Sequence, residues 1–151
     1  MQNRPIVLVN VPFDINDVPG RGSTLPMGII TLATILKNKS WDVRIIEGSS
    51  IHSDYEDRLF SLLEKEKPLF VGFSVMTTQI KKSLELTNRI KQIYKDLLIV
   101  WGGFHATCKP AQTIENPNID IVVLGEEIKD ILPLSETLAQ NGDLKKVPNI
   151  Y

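Results

Sequence analysis

The stretch "LFVGFSVMTTQI", residues 69–80, carries the pattern that decides the fold. Its first seven residues, Leu69–Val75, are apolar apart from one glycine and one serine, and polar residues do not alternate with them. Such a run is typical of a strand covered on both faces, as in a parallel sheet. Polar "TTQ" follows, and apolar residues then recur at helical spacing from Gln79 to Lys95. The pattern predicts a buried strand followed by an amphipathic helix.

The same alternation of strand and helix recurs along the chain. Further strands are predicted at Ile6–Val11, Asp42–Ile46, Leu97–Trp101 and Ile119–Leu124. Helices are predicted from Pro26 to about Asn38, from a Ser53/Glu56 capping box onward, briefly before Pro117, and from about Pro133 to just before Gly142. This order predicts an α/β three-layer sandwich of the flavodoxin-like (Rossmann-like) class, with a five-stranded parallel sheet in the order 2-1-3-4-5.

Composition narrows the function classes. The 151 residues suffice for one core, and 17 basic residues nearly balance 18 acidic ones, which argues against nucleic-acid binding. The apolar run before Pro12 is too short for a signal peptide or a membrane span. The single cysteine, Cys108, forms no internal disulfide or thiolate cluster, so we expect a cytoplasmic domain.

Ligands of such sheets bind beyond the carboxyl ends of the strands, where the strand order reverses. The prediction therefore gathers four loops at one edge, namely those beginning at Pro12, Ser74, Gly102 and Gly125. The first loop, residues 12–25, exceeds the usual strand-to-helix connection and is typical of a binding loop. It lacks both the dinucleotide fingerprint and the phosphate-loop signature.

The residues of this edge admit two interpretations each. Thr77 and Thr78 either meet a ligand or simply cap the helix that follows. Gly102 and Gly103 either let a ligand approach the backbone closely or merely ease a turn.

The roles of the ionisable residues at this edge are equally open. His105 fits a base, a metal ligand, a donor to an amide-rich ligand, or a cap on a neighbouring carbonyl. Glu126 and Glu127 are either an acid–base pair or charges at a helix start. Cys108 has no neighbouring base to activate it. We predict no catalytic residue and no metal ligand in this chain.

Four segments together resemble a known family. They are "TLPMGIITLATILKNKSWDVRIIEG", "FVGFSVMTTQI", "VWGGFHATCKPAQTIENPNIDIVVLGEE" and "VPNIY". In this order they resemble the N-terminal cobalamin-binding domain of cobalamin-dependent radical S-adenosylmethionine enzymes. That group includes methyltransferases and the anaerobic magnesium-protoporphyrin monomethyl ester cyclase.

The resemblance implies that the domain, residues 1–143, holds cobalamin at the carboxyl edge of the sheet, and that residues 144–151 begin a linker to a C-terminal radical domain. The cofactor-binding residues it implies are Pro12, Ser74, Val75, Met76, Thr77, Thr78, Gly102, Gly103, Phe104, His105, Gly125 and Glu126.

Departures from the family pattern refine the expectation. Corrinoid proteins that ligate cobalt carry an aspartate-x-histidine-x-x-glycine motif after the first strand, where this chain has "DINDVP" from Asp14. We therefore expect base-off cobalamin without histidine on cobalt, and His105 at the periphery of the ligand. The iron–sulfur cluster needs three cysteines, so cluster and S-adenosylmethionine would belong to the missing domain. Two alternatives remain: a regulatory or interaction domain without cofactor, and a nucleotide- or flavin-binding domain.

Overall fold

The computed structural model describes residues 4–13, 25–48, 54–125 and 129–151. Five strands form one all-parallel sheet: β1 Ile6–Asn10, β2 Val43–Glu47, β3 Phe70–Ser74, β4 Leu98–Gly102 and β5 Ile121–Val122. Their order is β2-β1-β3-β4-β5, which confirms the predicted topology. Each apolar run of the sequence became a strand, trimmed or shifted by one or two residues at its ends.

Six helices accompany the strands described. They are α1 Met27–Asn38, α2 Tyr55–Glu66, α3 Ile80–Ile93, α4 Phe104–Cys108, α5 Pro110–Ile114 and α6 Ile131–Ala139. Two short 3₁₀ turns, Thr77–Gln79 and Leu144–Lys146, complete the elements. Helix α6 ends before Gly142 as predicted, and Pro26 lies immediately before α1.

The sheet separates two apolar cores. Val7, Val9 and their neighbours on one face pack with α2 and α3, whereas Ile6 and Leu8 on the other face pack with α1 and α6. Consecutive residues of a strand point to opposite faces, so a strand that is covered on both sides is apolar throughout. This is why the strand runs show no polar alternation.

One local prediction needs correction and another stays a prediction. Helix α2 begins at Tyr55, close to the predicted start, and the Glu56 carboxylate pairs with Arg89 on α3, while the predicted capping box is not tested. Ser53, its predicted partner, lies outside the described residues. The "FHATC" stretch, which we expected to be a loop, is helix α4. A helix of five residues is too short to show a hydrophobic period, so the pattern did not reveal it.

The C-terminal segment packs against the edge of the sheet. Val147 is buried, and Ile150 forms an antiparallel bridge with Val123, next to β5. The Tyr151 N–H donates to the Val122 carbonyl at 2.8 Å, and the Val122 N–H donates back to the Tyr151 carbonyl at 3.0 Å. Residues 144–151 therefore cover the outer edge of β5, and their continuation into a linker stays a prediction. Within the described ranges, no helix is long and apolar enough to cross a bilayer.

A buried hydroxyl yields a first prediction. Ser83 on α3 is fully buried, and its Oγ finds no hydrogen-bond partner in the described part of the chain. Ser135 on α6 is equally buried, but its Oγ donates to the Ile131 carbonyl at 2.7 Å. Alanine gains the same helix propensity at both sites, so we expect Ser83→Ala to be more stable than the matched Ser135→Ala by about 1 kcal/mol. Urea unfolding measures this difference, and equal stability of the two variants would contradict it.

Candidate functional site

A hollow opens at the carboxyl edge of the sheet, where β1 and β3 lie side by side. Strand order reverses at β1, since β2 lies on one side of it and β3 on the other. The hollow has a volume of about 230 Å³ and lies between the start of α1 and the ends of β1 and β3. Its lining residues are Asn10, Phe13, Leu25, Pro26, Met27, Gly28, Ile29, Ser74, Met76 and Gln79. We call it the rim hollow.

A narrow apolar cleft runs from the rim hollow between the sheet and helices α1 and α6. It encloses only about 20 Å³. It is lined by Leu8, Ile29, Leu32, Phe70, Gly72, Phe73, Ser74, Val100, Gly102, Val123 and Ile131. Ser74 and Ile29 line both spaces, so the rim hollow and the cleft join at the end of β3.

Small residues form the floor of this cleft. Gly72 and Ser74 share one face of β3, and Gly102, the register partner of Ser74, ends β4 beside them. A Cβ atom on Gly72 would approach Leu8 Cδ2 to 3.0 Å, so a larger side chain there competes for the space of the cleft. The Ser74 hydroxyl has no hydrogen-bond partner among the described residues and remains available to a ligand.

The two glycines of the "GGFHAT" stretch have different structural roles. Gly102 lines the cleft, whereas Gly103 adopts φ +91° and touches the loop after β3. A Cβ on Gly103 would lie 2.7 Å from the Val75 nitrogen. The Val75 N–H donates to the Gly102 carbonyl at 2.9 Å, and its carbonyl accepts from the His105 N–H at 3.0 Å. Gly103 is therefore needed by the packing of the two loops themselves.

A further hydrogen bond connects the loops after β4 and β5. The Thr107 hydroxyl of α4 accepts from the Gly125 N–H at 3.0 Å, and Gly125 has φ +73°. The "GGxHxT" spacing thus places Thr107 where it binds the loop after β5. The same stretch also contacts the loop after β3.

His105 is buried on α4, with 9% of its surface exposed. Its side chain has no hydrogen-bond partner in the described residues, and it lines neither the rim hollow nor the cleft. Burial, followed by the nearby positive charge of Lys109, lowers the pKa of His105 below its ordinary value of 6.5. The imidazole is therefore neutral near pH 7.

The predicted site residues divide into groups. Ser74, Met76 and Gly102 line the spaces described above. Thr77, Thr78, Phe104 and Gly125 are exposed at the same edge, and Val75, Gly103 and His105 hold the loops together. Pro12 instead lines a separate hollow beside α2 and α3. Glu126 and the "DINDVP" segment lie outside the described residues.

Helix capping by the threonines is not observed. Neither Thr77 nor Thr78 makes a side-chain hydrogen bond in the described part of the chain, and the Met76 N–H instead donates to the Gln79 side chain at 2.9 Å.

Sequence reasoning missed Gln79, together with Asn10, Ile29 and Gly72. Gly72 carried a signal, because a glycine inside a strand often marks a close backbone approach.

Comparison with known proteins decides the family. The family model of the B12 binding domain matches residues 18–129 of this chain. The chain belongs to the B12-binding domain family. This confirms the resemblance drawn from the four sequence segments at the level of the family.

Two relatives of this B12-binding domain are enzymes of greater length. An uncharacterised methyltransferase of Pyrococcus horikoshii is 29% identical over 123 residues, a match covering 81% of this chain and 26% of that protein. The anaerobic magnesium-protoporphyrin IX monomethyl ester cyclase of Rubrivivax gelatinosus is 28% identical over 120 residues, covering 79% of this chain and 22% of the cyclase. The chain spans about a quarter of the length of these relatives.

Solved structures confirm the fold. The radical S-adenosylmethionine methyltransferase TsrM from Kitasatospora setae, with cobalamin and a 4Fe-4S cluster bound, superposes with a TM-score of 0.81 at 19% identity. The match covers 99% of this chain and 27% of TsrM. The cobalamin-dependent enzyme OxsB, with aqua-cobalamin and S-adenosylmethionine bound, gives 0.77 at 22% identity, covering 99% of this chain and 20% of OxsB.

The lowered pKa of His105 predicts a pH dependence of stability. The unfolded chain takes up a proton as the pH falls through 6.5, whereas the folded chain resists it, so the free energy of unfolding decreases over this range. We expect His105→Gln to lose less stability than the unsubstituted chain between pH 7.5 and 5.5. Urea unfolding at the two pH values measures it, with Lys109→Gln expected to give an intermediate slope. Identical slopes for all three proteins would contradict the assignment.

Proposed function

We propose that this B12-binding domain holds cobalamin at the carboxyl edge of its sheet and presents it to a radical S-adenosylmethionine domain. The observation that carries the proposal is the junction at Ser74, where the rim hollow, which has both polar and apolar lining residues, meets an apolar cleft floored by Gly72 and Gly102. Cobalamin has a broad corrin with amide side chains and a nucleotide tail ending in an aromatic base. A hollow that continues into a narrow apolar cleft suits both parts.

The cleft supplies the site for the nucleotide tail. Its walls are apolar side chains of the sheet, α1 and α6, and its floor has no bulky side chain at Gly72 or Gly102. At about 20 Å³ it is nearly closed, so the aromatic base enters only when side chains such as Ile29 and Ile131 move apart. The Ser74 hydroxyl at the mouth, which has no partner among the residues described, is a hydrogen-bonding group for the polar part of the tail.

The rim supplies the site for the corrin. Four large apolar side chains are exposed at this edge, with Met76 42% and Phe104 66% accessible beside Leu25 and Met27 at the start of α1. Exposed apolar side chains grouped around a hollow are typical of a surface that is covered when a ligand or partner binds. The hydroxyls of Thr77 and Thr78 are the neighbouring polar groups.

Cobalamin, when bound, would supply a cobalt centre for methyl transfer or related radical chemistry, and the protein's part is to position it. The chain's own residues bind and orient the ligand and exclude water from the cleft. The backbone N–H of His105 stabilises the loop after β4 through its hydrogen bond to the Val75 carbonyl. No proton transfer by a side chain of this domain is required.

A second domain completes the proposed enzyme. One cysteine cannot provide the three thiolates of a radical S-adenosylmethionine cluster, and the relatives are several times longer than this chain. We propose that residues 144–151 lead toward such a domain, which holds the cluster and S-adenosylmethionine, and that the protein works in the cytoplasm. Intact mass of the native gene product tests the larger size.

Binding of cobalamin is the first test of the proposal. Titration of the chain with cob(II)alamin, followed by visible absorbance, should show saturable binding. We expect Gly72→Val to weaken binding at least tenfold, because the added methyl groups fill the floor of the cleft. The matched control is Val71→Ala on the opposite face of the same strand, which removes core volume without touching the cleft.

The alternatives give different outcomes in the same titration. The family match favours cobalamin, whereas saturable binding of flavin mononucleotide with no response to cob(II)alamin would replace the proposal by a flavin site. No binding of either compound would favour an interaction module. Equal weakening by Gly72→Val and Val71→Ala would remove the cleft from the site.

Cobalt ligation gives a further prediction. His105 lines neither the rim hollow nor the cleft, so we expect the electron-spin spectrum of the bound cobalt(II) form to lack nitrogen coupling from an axial ligand. The spectrum should be the same in His105→Gln. Nitrogen coupling that disappears in this variant would overturn the base-off, histidine-free assignment.

A further inference from the structure

Gln79 is a buried polar side chain whose partners come from two loops. Only 2% of its surface is exposed. Its Oε1 accepts from the Met76 N–H at 2.9 Å, while its Nε2 donates to the Val11 carbonyl and, at 3.3 Å, to Asn10 Oδ1. Both amide hydrogens and one acceptor site are therefore used within the protein.

The network continues to the edge strand. Asn10 Nδ2 donates to both carboxylate oxygens of Glu47, at 3.0 and 3.1 Å. Asn10 is the register partner of Glu47, so the last residues of β1 and β2 are joined by their side chains as well as by the sheet. One chain of hydrogen bonds thus runs from the end of β2 through the end of β1 to the loop after β3.

This chain crosses the point where the strand order reverses. Asn10 ends β1 and Val11 follows it, Met76 follows β3, and the rim hollow lies over the same junction. Asn10, Met76 and Gln79 all line that hollow. Parallel neighbours share no hydrogen bonds beyond their last paired residues, so Gln79 sets the separation of these two loops where the sheet no longer does.

We propose that Gln79 is a positioning residue that presets the rim hollow for the corrin, an inference that rests on the proposed function. It acts through the backbone of Val11 and Met76 rather than through contact with cobalt. Without its amide, the Met76 N–H and the Val11 carbonyl lose their shared partner, and the two loops gain freedom. The ligand must then order them on binding, which lowers affinity.

A purely structural role makes a different prediction. A buried hydrogen-bonding residue that only stabilises the fold lowers the free energy of unfolding but leaves the affinity of the folded protein unchanged. Thr87 on the adjoining helix α3 provides the matched comparison, because its buried hydroxyl accepts from Trp101 Nε1 at 3.1 Å and neither residue lines the rim hollow. Thr87→Val therefore reports on lost buried hydrogen bonding alone.

The experiment compares Gln79→Met with Thr87→Val. Methionine keeps the length of the side chain and removes all of its amide hydrogen bonds. We expect Gln79→Met to bind cob(II)alamin about tenfold more weakly than the unsubstituted chain, whereas Thr87→Val keeps the dissociation constant within about twofold. In the ligand-free chain, we expect the Met76 amide to exchange its hydrogen faster in Gln79→Met only, as measured by nuclear magnetic resonance.

Asn10→Ala provides a second route if Gln79→Met does not fold. It removes one acceptor of the Gln79 amide and the link to Glu47, while the bonds to Met76 and Val11 remain. We expect Asn10→Ala to lose less affinity, roughly threefold. In the double variant of Asn10→Ala and Gln79→Met, we expect the loss of binding free energy to be smaller than the sum of the losses in the two single variants.

The outcomes separate this inference from the function on which it rests. Absence of saturable cob(II)alamin binding by the unsubstituted chain would overturn the proposed function and the role of Gln79 together. Saturable binding with equal dissociation constants in the unsubstituted chain, Gln79→Met and Asn10→Ala would overturn the role of Gln79 alone. Equal rates of hydrogen exchange at the Met76 amide in the unsubstituted chain and in Gln79→Met would also contradict the role of Gln79.

Discussion

The position of β1 in the sheet governs the rest of the structure. It pairs in parallel with β2 through Ile6–Val43 and with β3 through Ile6–Phe70, so the chain must turn back across it to continue the sheet. Right-handed crossovers in opposite directions place their helices on opposite faces, which puts α1 on one side and α2 and α3 on the other. The helices therefore diverge at the carboxyl end of β1, and the rim hollow is the space between them.

The loops around this space are held by contacts that leave its interior free. Gly103 allows the loop after β4 to touch the backbone of Val75, and Thr107 binds the loop after β5 through Gly125. Gln79 joins the loops after β1 and β3. The polar groups that hold the rim are thus satisfied within the protein, whereas the Ser74 hydroxyl at the mouth of the cleft has no hydrogen-bond partner in the part of the chain that the structure describes. This division is typical of a preorganised binding site.

Ligand binding is the role that this arrangement supports. The "GGFHAT" stretch combines a cleft residue, Gly102, with three residues that fasten loops, and its histidine is buried and neutral. In a B12-binding domain the reactive centre belongs to the cofactor, so the protein needs a well-defined groove more than acids or bases. The cleft between the sheet and helices α1 and α6 is narrow, since its close-packed apolar walls leave little void.

The sequence by itself determined the class of fold. Apolar runs without alternation predicted the strands, the intervening helical spacing predicted parallel crossovers, and the serine that ends β3 marked the edge at which we predict the site. Tertiary structure decided which residues line the rim hollow and the cleft at that edge. Gln79 binds groups 68 and 69 residues earlier in the chain, Pro12 faces the opposite side of the sheet from Ser74, and helix α4 is too short to have a period. Local patterns record the neighbours of a residue along the chain, and these roles depend on neighbours that only folding brings together.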